Sequence, residues 1–459
     1  AGGHTEEIKT NRLILRLGLI TLVLTMMLVA TVAGGALTTF GGMFISDPFA
    51  VFFKILILLA SVLTLMISQD YIEKQGIARF EYVILLIFAT LGMMMMISAN
   101  NLISLYLGLE IQSIALYVLA SFNRDDERST EAGLKYFVLG AVASGMLLYG
   151  SSLVYGFSGT TDFNALGEQF ANRDDLKTSL GLIVGIVFIL AGLSFKVSAV
   201  PFHMWTPDVY EGAPTPVTAF FSVGPKIAAV SLFCRVMLEP FGDLIQHWQQ
   251  IVVLISIVSM ILGAFAAINQ TNIKRMMAYS SIGHIGYALI GLGIGTEAGL
   301  RGILIYMTIY LFMNIGAFAC ILTMRRGDRM VENISDLAGL SKSHPLIAVA
   351  LGIFMFSMAG IPPLAGFFSK LYIFLAAVEA KFYFLAVIGV LSSVVAAFYY
   401  LRIVKVVYFD DPLETLDKSI NRSLALVIAV CALAIVLFFS FPNIVLDAAS
   451  FTSNSIFSQ

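Results

Sequence analysis

The chain is a succession of long apolar segments separated by short polar ones. Apolar windows of about 20 residues, the length that spans a bilayer as a helix, recur from Leu13 to Ile444 with no long polar stretch between them. This pattern excludes a soluble domain on a single membrane anchor. It predicts an all-α polytopic membrane protein that forms one domain over residues 1–459.

Glycines, prolines and charged residues bound thirteen predicted spans. These spans lie near residues 13–33, 49–69, 80–98, 99–122, 131–157, 179–212, 214–237, 249–269, 272–295, 300–324, 344–380, 382–405 and 422–446. Two of them are longer than a crossing needs and contain prolines, which are Pro201 and Pro207 in the sixth and Pro362 and Pro363 in the eleventh. Each of the two is either one broken helix or two short spans.

The distribution of lysines and arginines distinguishes these alternatives. If each broken helix crosses once, most basic loop residues lie on one side of the membrane. Only Arg173, Lys177, Arg235, Arg301 and Lys381 then lie on the other side. Such asymmetry is expected when the basic side faces the cytoplasm or the mitochondrial matrix. Splitting just one broken helix would invert every later loop and remove the asymmetry, so we predict single crossings.

The two broken helices also suggest an internal repeat. Spans three to seven and eight to twelve form two sets of five, and the broken helix is the fourth in each set. Because five crossings are an odd number, the second set starts on the opposite side of the membrane, which predicts inverted repeats. The predicted organisation is N-terminal helices over residues 1–79, repeats over 80–237 and 249–408, and a C-terminal helix over 422–446.

The composition and the cysteine spacing argue against several classes of function. Hydrophobic residues make up 59% of the chain and charged residues 12%, and the formal net charge of −2 gives no nucleic-acid footprint. Cys234, Cys320 and Cys431 have no metal-ligand or disulfide spacing. No phosphate-binding loop or dinucleotide fingerprint is present. The sequence therefore predicts no ATP, metal or redox cofactor site in this chain.

The predicted spans nevertheless contain charged residues. They are Lys54, Lys135, Lys196, Lys226, Lys370 and Glu110. Because a charge at the bilayer centre costs at least about 2.5–3.5 kcal/mol on insertion scales, such residues are candidates for function. Lys54 lies near the start of its span and can reach the interface, so we interpret it as structural. The position of Lys135 leaves both interpretations open, whereas the deeper Lys196, Lys226 and Lys370 favour function.

Lysines and a carboxylate together can move protons. Removal of an ammonium group from water favours loss of its proton, and a nearby carboxylate restores the charged form. Movement of Glu110 relative to a lysine would therefore load or unload that lysine. We expect Lys196 to be its partner, with Lys135 as the second candidate. An arginine would stay charged. The assignment of basic residues to loops and spans places no arginine in the membrane interior.

Two histidines and the helix breaks complete the candidate site. His203 lies in the first break, and His284 lies in the ninth span, the counterpart of the span of Glu110. Each histidine is either a proton-exchanging group or a core residue with satisfied hydrogen bonds. Unwound backbone at membrane depth needs protein or water partners. We therefore expect a hydrated pocket beside Lys370, next to the second break.

Several long motifs resemble a known family. The segment Phe195-Lys196-Val197-Ser198-Ala199-Val200-Pro201-Phe202-His203-Met204-Trp205-Thr206-Pro207-Asp208-Val209-Tyr210-Glu211 and its continuation to Phe220 resemble the signature of the subunit N family of proton-translocating NADH:quinone oxidoreductase, respiratory complex I. The segments 131–137, 278–287 and 360–370 agree with this family in the same order. The mitochondrial counterpart of the family is NADH dehydrogenase subunit 2.

The resemblance implies a fold, a site and partners. The implied fold has fourteen helices with two inverted five-helix repeats, and the implied proton relay runs through Glu110, Lys135, Lys196, Lys226 and Lys370. NADH, FMN, iron–sulfur clusters and quinone are implied to bind partner subunits, and the neighbours are other membrane subunits, including antiporter-like ones. The implied location is a bacterial inner membrane, with the mitochondrial inner membrane as the alternative.

The sequence departs from the family pattern in one respect, and its residue chemistry also fits one alternative class of protein. The family has a further helix before the first span counted here, so that helix is either absent or missing from this sequence. A stand-alone or Mrp-type cation/proton antiporter shares the lysine and glutamate layout, and the chemistry of the residues alone does not exclude it.

Overall fold

The computed structural model describes residues 2–32, 35–327, 329–412, 416–417 and 420–457, with side chains from residue 9 onward. Within these ranges nearly all regular structure is helical. The first half contains α1 Gly2–Thr31, α2 Pro48–Lys74, α3 Glu81–Ile97, α4 Leu102–Ala120, α5 Glu127–Ser158, α6 Phe163–Asn172, α7 Asp174–Lys177, α8 Leu180–Val197, α9 Trp205–Gly212 and α10 Thr215–Leu238.

The second half continues the same pattern. It contains α11 Ile245–Ile268, α12 Ile273–Ile294, α13 Glu297–Ile321, α14 Leu340–Ser343, α15 Pro345–Ala359, α16 Ala365–Glu379, α17 Tyr383–Phe409, α18 Arg422–Leu437 and α19 Asn443–Phe457. Short 3-10 helices occupy Gly242–Leu244 and Ile334–Leu337. The strands form two small antiparallel hairpins, β1 Leu37–Thr39 with β2 Phe44–Ser46 and β3 Arg325–Arg326 with β4 Arg329–Met330.

The polytopic helical class predicted from the sequence is confirmed. Ten helices of the described chain are long and apolar enough to cross a membrane, and three shorter apolar helices accompany them. Every predicted span coincides with one helix or with a broken pair. The predicted count of thirteen crossings stays a prediction, because length and composition alone do not establish which helices cross.

The prediction for the C-terminal region was wrong in detail. A single helix was expected over 422–446, but α18 ends at Leu437 and a separate helix, α19, begins at Asn443. Pro442 lies between them. Proline lacks the N–H group that a continuous helix needs, and it disfavours helical backbone in the preceding residue.

Three helices form the centre of the bundle. The apolar windows of α10, α12 and α13 are 100%, 94% and 94% buried, whereas that of α1 is 17% buried. Lys226 and Arg235 on α10 and His284 on α12 are therefore enclosed by protein on all sides. This arrangement removes lipid from the surroundings of Lys226 and His284.

Within each of the two predicted repeats, a glycine brings the first two helices into close contact. A Cβ atom on Gly92 of α3 would lie 2.4 Å from the backbone nitrogen of Gln112 in α4. A Cβ atom on Gly263 of α11 would lie 2.6 Å from the backbone nitrogen of Gly283 in α12. Only glycine permits these close approaches of two helix backbones. The same kind of contact in both halves agrees with an internal repeat. The inverted orientation of the two halves in the membrane stays a prediction.

Both expected broken helices are present, and they end in the same way. The residue that follows α8 is Ser198 and the residue that follows α15 is Gly360, and both have left-handed backbone, with φ of 63° and 86°. In each case the amide of the next residue donates to the carbonyl five residues earlier, Ala199 to Ser194 and Ile361 to Phe356. This Schellman-type closure satisfies helix-end carbonyls. The prolines Pro201, Pro362 and Pro363 follow directly and prevent continuation of the helix.

Candidate functional site

Lys196 lies in the last turn of α8, immediately before the first break. Its Nζ donates a 2.7 Å hydrogen bond to Ser113 Oγ of α4, and the residue is 9% exposed. Glu110 precedes Ser113 by one helical turn on α4. No ion pair within 4 Å joins Glu110 to Lys196 or to Lys135 among the described residues, and the pairing of Glu110 with Lys196 during proton transfer stays a prediction. Glu110 Oε1 is buried without a hydrogen-bond partner.

Lys226 lies near the middle of α10, in the centre of the bundle. Its Nζ donates a 2.6 Å hydrogen bond to Ser281 Oγ of α12 and lies 5.4 Å from the ring centroid of Tyr210. The residue is 1% exposed. No carboxylate contacts this ammonium group in the described part of the chain, so its charge has only a hydroxyl and an aromatic face as partners.

His284 follows Ser280 by one turn on α12 and is also buried. Its Nδ1 is hydrogen-bonded to the Tyr306 hydroxyl, and its Nε2 lies 3.0 Å from the Tyr400 hydroxyl. The Tyr400 hydroxyl is also hydrogen-bonded to Ser280 Oγ. The imidazole therefore joins two tyrosines on different helices. The hydrogen bonds of His284 are satisfied, as the core interpretation requires, but every partner is itself a proton-carrying group.

Lys370 lies on α16, just after the second break. Its Nζ donates to Met358 O at 2.9 Å, to Ala359 O at 3.2 Å and to Ser393 Oγ at 2.8 Å. The two carbonyls belong to the last turn of α15, whose intrahelical partners are lost where the helix breaks. The break in the helix therefore frees the two carbonyl oxygens that accept hydrogen bonds from this lysine.

The expected hydrated pocket beside Lys370 is not formed. A crevice next to this lysine is bounded by His284, Tyr287, Met358 and Tyr400, among others, but it has no space for a water-sized sphere. The physical reason is that Lys370 itself fills the break by donating to the freed carbonyls. The unwound backbone is thus satisfied by protein rather than by water.

Lys135 lies at the edge of the bundle rather than in its interior. Its side chain is 41% exposed and forms 2.7 Å ion pairs with Glu131 and with Asp208 of α9. Asp208 in turn binds Arg275 at 2.7 Å. These residues line an open pocket of about 230 Å³. Lys135 therefore belongs to an exposed charge cluster and does not contact Glu110.

The remaining candidates do not contact Lys196, Lys226 or Lys370, the three enclosed lysines that we call the row of lysines, among the described residues. His203 is half-buried in the first break, and its Nδ1 is buried without a partner. Lys54 lies in the second turn of α2 and lines an apolar pocket. Arg235, assigned from the sequence to a loop, is fully buried and binds Asp47 at 2.8 and 2.9 Å and Glu239 at 2.7 Å. The prediction that no arginine lies in the membrane interior was therefore wrong. Arg235 is accommodated there because Asp47 and Glu239 supply its counter-charges.

Several hydroxyl groups in the helical bundle are buried without a hydrogen-bond partner among the described residues. They belong to Ser194, Ser198, Thr206, Tyr210 and Tyr310. Ser194 and Ser198 flank Lys196 on α8, and Tyr210 lies beside Lys226. Buried polar groups are usually satisfied by protein or by ordered water.

Sequence reasoning missed the uncharged members of the site. Ser113, Ser281, Ser393, Tyr306 and Tyr400 provide the direct partners of the lysines and of His284. Single serines and tyrosines are common in apolar helices, so they gave no signal alone. The spacing of Ser280, His284 and Tyr287 at four and three residues, which places them on one helix face, was the available clue.

The fold and the enclosed lysines define an antiporter-like membrane subunit. A family model described as NADH:quinone oxidoreductase/Mrp antiporter, TM, matches residues 99–396. NADH-quinone oxidoreductase subunit N of Paramagnetospirillum magneticum is 58% identical over 434 residues, covering 94% of this chain and 89% of that protein. The subunit of the same name from Rhodospirillum rubrum is 60% identical over 417 residues, covering 91% and 85%. The chain therefore belongs to the NADH-quinone oxidoreductase subunit N family.

Solved structures agree with this assignment. A chain of respiratory complex I from Thermus thermophilus with bound aureothin superposes with a TM-score of 0.81 at 31% identity, covering 96% of this chain and 95% of that one. A chain of the Mrp complex from Dietzia has a TM-score of 0.84 at 20% identity, covering 99% and 93%. At that identity the Mrp likeness shows the fold alone. The complex I interpretation is thus supported over the Mrp-type alternative, and the bacterial relatives place the protein in the inner membrane.

Proposed function

We propose that this chain translocates protons as a membrane subunit of a NADH-quinone oxidoreductase complex, driven by electron transfer in partner subunits. The observation that carries the proposal is the bonding of three enclosed lysines, Lys196, Lys226 and Lys370. Each ammonium group donates to a serine hydroxyl, and none contacts a carboxylate among the described residues. A buried lysine that no fixed acid neutralises can lose its proton at small cost.

The hydrogen-bonded groups supply steps between these lysines. Helix α12 carries Ser281 against Lys226, and one turn later it carries His284 between Tyr306 and Tyr400. Hydroxyls and imidazole both donate and accept hydrogen bonds, so they can pass a proton without carrying a permanent charge. Lys370, whose ring contact with Tyr287 is 5.1 Å from Nζ to the centroid, lies at the far end of this series.

Glu110 and Lys135 have different places in the proposal. Glu110 is the acid of the relay, because its unpaired oxygen lies one turn from the serine that binds Lys196. Lys135, with Asp208 and Arg275, forms the end of the relay that faces the basic loops. A cluster of exposed ionisable groups there can exchange protons with the aqueous phase. His203 is a further candidate near this end.

The electron-transfer chemistry belongs to partner subunits in this proposal. NADH, FMN, iron–sulfur clusters and quinone bind there, as the family resemblance implies. Among the described residues no group of three or more His, Cys, Asp or Glu side chains could hold a metal ion. In this proposal the chain itself stores and moves protons.

The proposal is tested in sealed vesicles that contain the assembled complex. Lys226→Ala is compared with Lys74→Ala, which changes a lysine at the end of α2 that pairs with Asp70 at 2.8 Å. We expect Lys226→Ala to lower the number of protons moved per NADH oxidised, with subunit assembly intact on a native gel. Lys74→Ala should leave the ratio unchanged. A normal ratio in Lys226→Ala would contradict the proposal.

A further inference from the structure

A second site lies apart from the row of lysines, on the face opposite the basic loops. The β1–β2 hairpin, the start of α2 and neighbouring parts of α3 and α4 enclose an open pocket of about 590 Å³. Most of its wall is apolar and includes Phe40, Met94, Met95 and Leu107. Lys54 is the one charged residue among the described residues that line it.

The ammonium group of Lys54 forms no hydrogen bond and no ion pair within 4 Å in the described chain. Its nearest acid along α2 is Asp47, but Arg235 Nη2 already donates to both oxygens of that carboxylate at 2.8 and 2.9 Å. The Ala50 amide donates to the same carboxylate at 2.7 Å. Glu239 is likewise bound by Arg235. Lys54 therefore presents a positive charge without a directly bound acid to an apolar pocket, which is costly unless a ligand in the pocket neutralises it.

A second polar group in the wall also lacks a partner. Ser98 is 5% exposed, and its hydroxyl forms no hydrogen bond although its backbone closes the end of α3. Ser104, by contrast, donates to Met43 O at 2.8 Å. A ligand that accepts hydrogen bonds and carries negative charge would suit Lys54, and Ser98 adds a free hydroxyl to the same wall.

The depth and rim of the pocket indicate the rest of the ligand. Lys54 follows Pro48, the first residue of α2, by six residues, which corresponds to about 9 Å along a helix axis. At that depth a lysine reaches the boundary between lipid headgroups and acyl chains. Phe40 and Leu107 at the rim are 80% and 49% exposed. The pocket thus opens towards the apolar part of the membrane.

We infer that this pocket binds an anionic phospholipid of the leaflet opposite the basic loops. Its phosphate accepts hydrogen bonds from Lys54, and from Ser98 once that hydroxyl turns to it, while an acyl chain lies along Met94, Met95 and Leu107. Charge complementarity selects an anionic lipid, because a zwitterionic headgroup carries its own cation and a bare acyl chain leaves Lys54 unpaired. The site does not depend on the proton relay.

Photolabelling of the purified, assembled complex tests this site. The probes are a phosphatidylglycerol and a phosphatidylcholine that carry the same diazirine group in the acyl chain. In the wild-type complex we expect phosphatidylglycerol to label peptides containing Met94, Met95 or Leu107 and phosphatidylcholine to label them weakly. Lys54→Gln should lower phosphatidylglycerol labelling about tenfold, the effect of losing one charge-assisted hydrogen bond. Lys54→Arg should retain it.

Two controls make the outcomes decisive. Lys381→Gln changes an exposed lysine on the same side of the membrane that does not line this pocket, and it should leave the labelling unchanged. Met95→Trp fills the pocket while leaving Lys54 in place, and it should lower labelling by both lipids. Equal labelling by the two lipids, unchanged labelling in Lys54→Gln, or no labelling because another subunit covers the pocket would each overturn the inference.

Discussion

Lys226 donates a 2.6 Å hydrogen bond to Ser281, so the most deeply enclosed lysine of the proposed relay binds a hydroxyl instead of a carboxylate. A salt bridge would hold the lysine in its charged form. A hydroxyl can donate to a neutral amine or accept from an ammonium group, and it therefore serves both protonation states. The pairing suits a site that alternates between them.

Ser281→Ala tests this pairing directly. Removal of the hydroxyl leaves Lys226 without its hydrogen-bond partner, so we expect a slower proton-pumping rate and, since the lysine itself remains, a smaller loss than in Lys226→Ala. Ser231→Ala is the matched control, because Ser231 lies on α10 and bonds its own helix at Ala228 O. The measurement is the initial rate of vesicle acidification. Equal rates in Ser281→Ala and Ser231→Ala would refute the role of the hydroxyl.

Glu110→Gln removes the acid of the relay while keeping its size. Because Glu110 Oε1 is buried and unpaired, the substitution breaks no hydrogen bond of that oxygen, and the complex should assemble normally. We expect lower proton pumping and lower coupled electron transfer. NADH oxidation and pumping are measured together in vesicles. The assignment of Glu110 fails if the variant pumps with the wild-type ratio of protons to NADH.

Tyr400→Phe interrupts the link between Ser280 and His284. The variant loses the one hydroxyl that contacts both groups, while the ring that packs the core is retained. We expect pumping to fall by about tenfold or more, as removal of a positioned proton-transfer group does. Tyr408→Phe, on the same helix but outside this cluster, should leave pumping unchanged. If both variants behave like the wild type, protons do not pass through Tyr400.

Asp47→Asn distinguishes structural charges from those of the relay. Asp47 and Arg235 are both fully buried and joined by two hydrogen bonds, so the substitution leaves Arg235 with a weaker partner. Breaking such a buried pair costs about 3–5 kcal/mol of stability. We expect a lower thermal unfolding temperature and less assembled complex, whereas pumping per assembled complex stays normal. Unchanged stability with reduced pumping would instead place Asp47 in the relay.

Spans, helix breaks and buried lysines were predictable because their signals are local. Hydropathy identifies the spans, and Pro201 and Pro362 mark the breaks within a few residues. The partners were not predictable, because Ser113 is 83 residues from Lys196 and Ser281 is 55 residues from Lys226. Such contacts depend on how helices pack. The same limit applies to Lys135, whose partner Asp208 lies 73 residues away on a separate helix.

The prolines show a second limit of sequence reasoning. They identified an unwound backbone beside Lys370, and water was the expected partner of its free carbonyls. In the structure, Lys370 itself donates to Met358 O and Ala359 O. A sequence shows that polar groups need partners, but the three-dimensional arrangement decides whether a side chain or water provides them.

The central claim is that enclosed lysines change their protonation state during turnover, and Lys370 provides its most direct test. Lys370→Arg keeps a positive charge that is not released at any relevant pH, whereas Lys370→Ala removes the charge. Both variants are measured as protons moved per NADH oxidised in sealed vesicles, with assembly checked on a native gel. The account predicts that Lys370→Arg impairs pumping nearly as much as Lys370→Ala. Normal pumping by an intact Lys370→Arg complex would show that fixed charge suffices and would contradict the account.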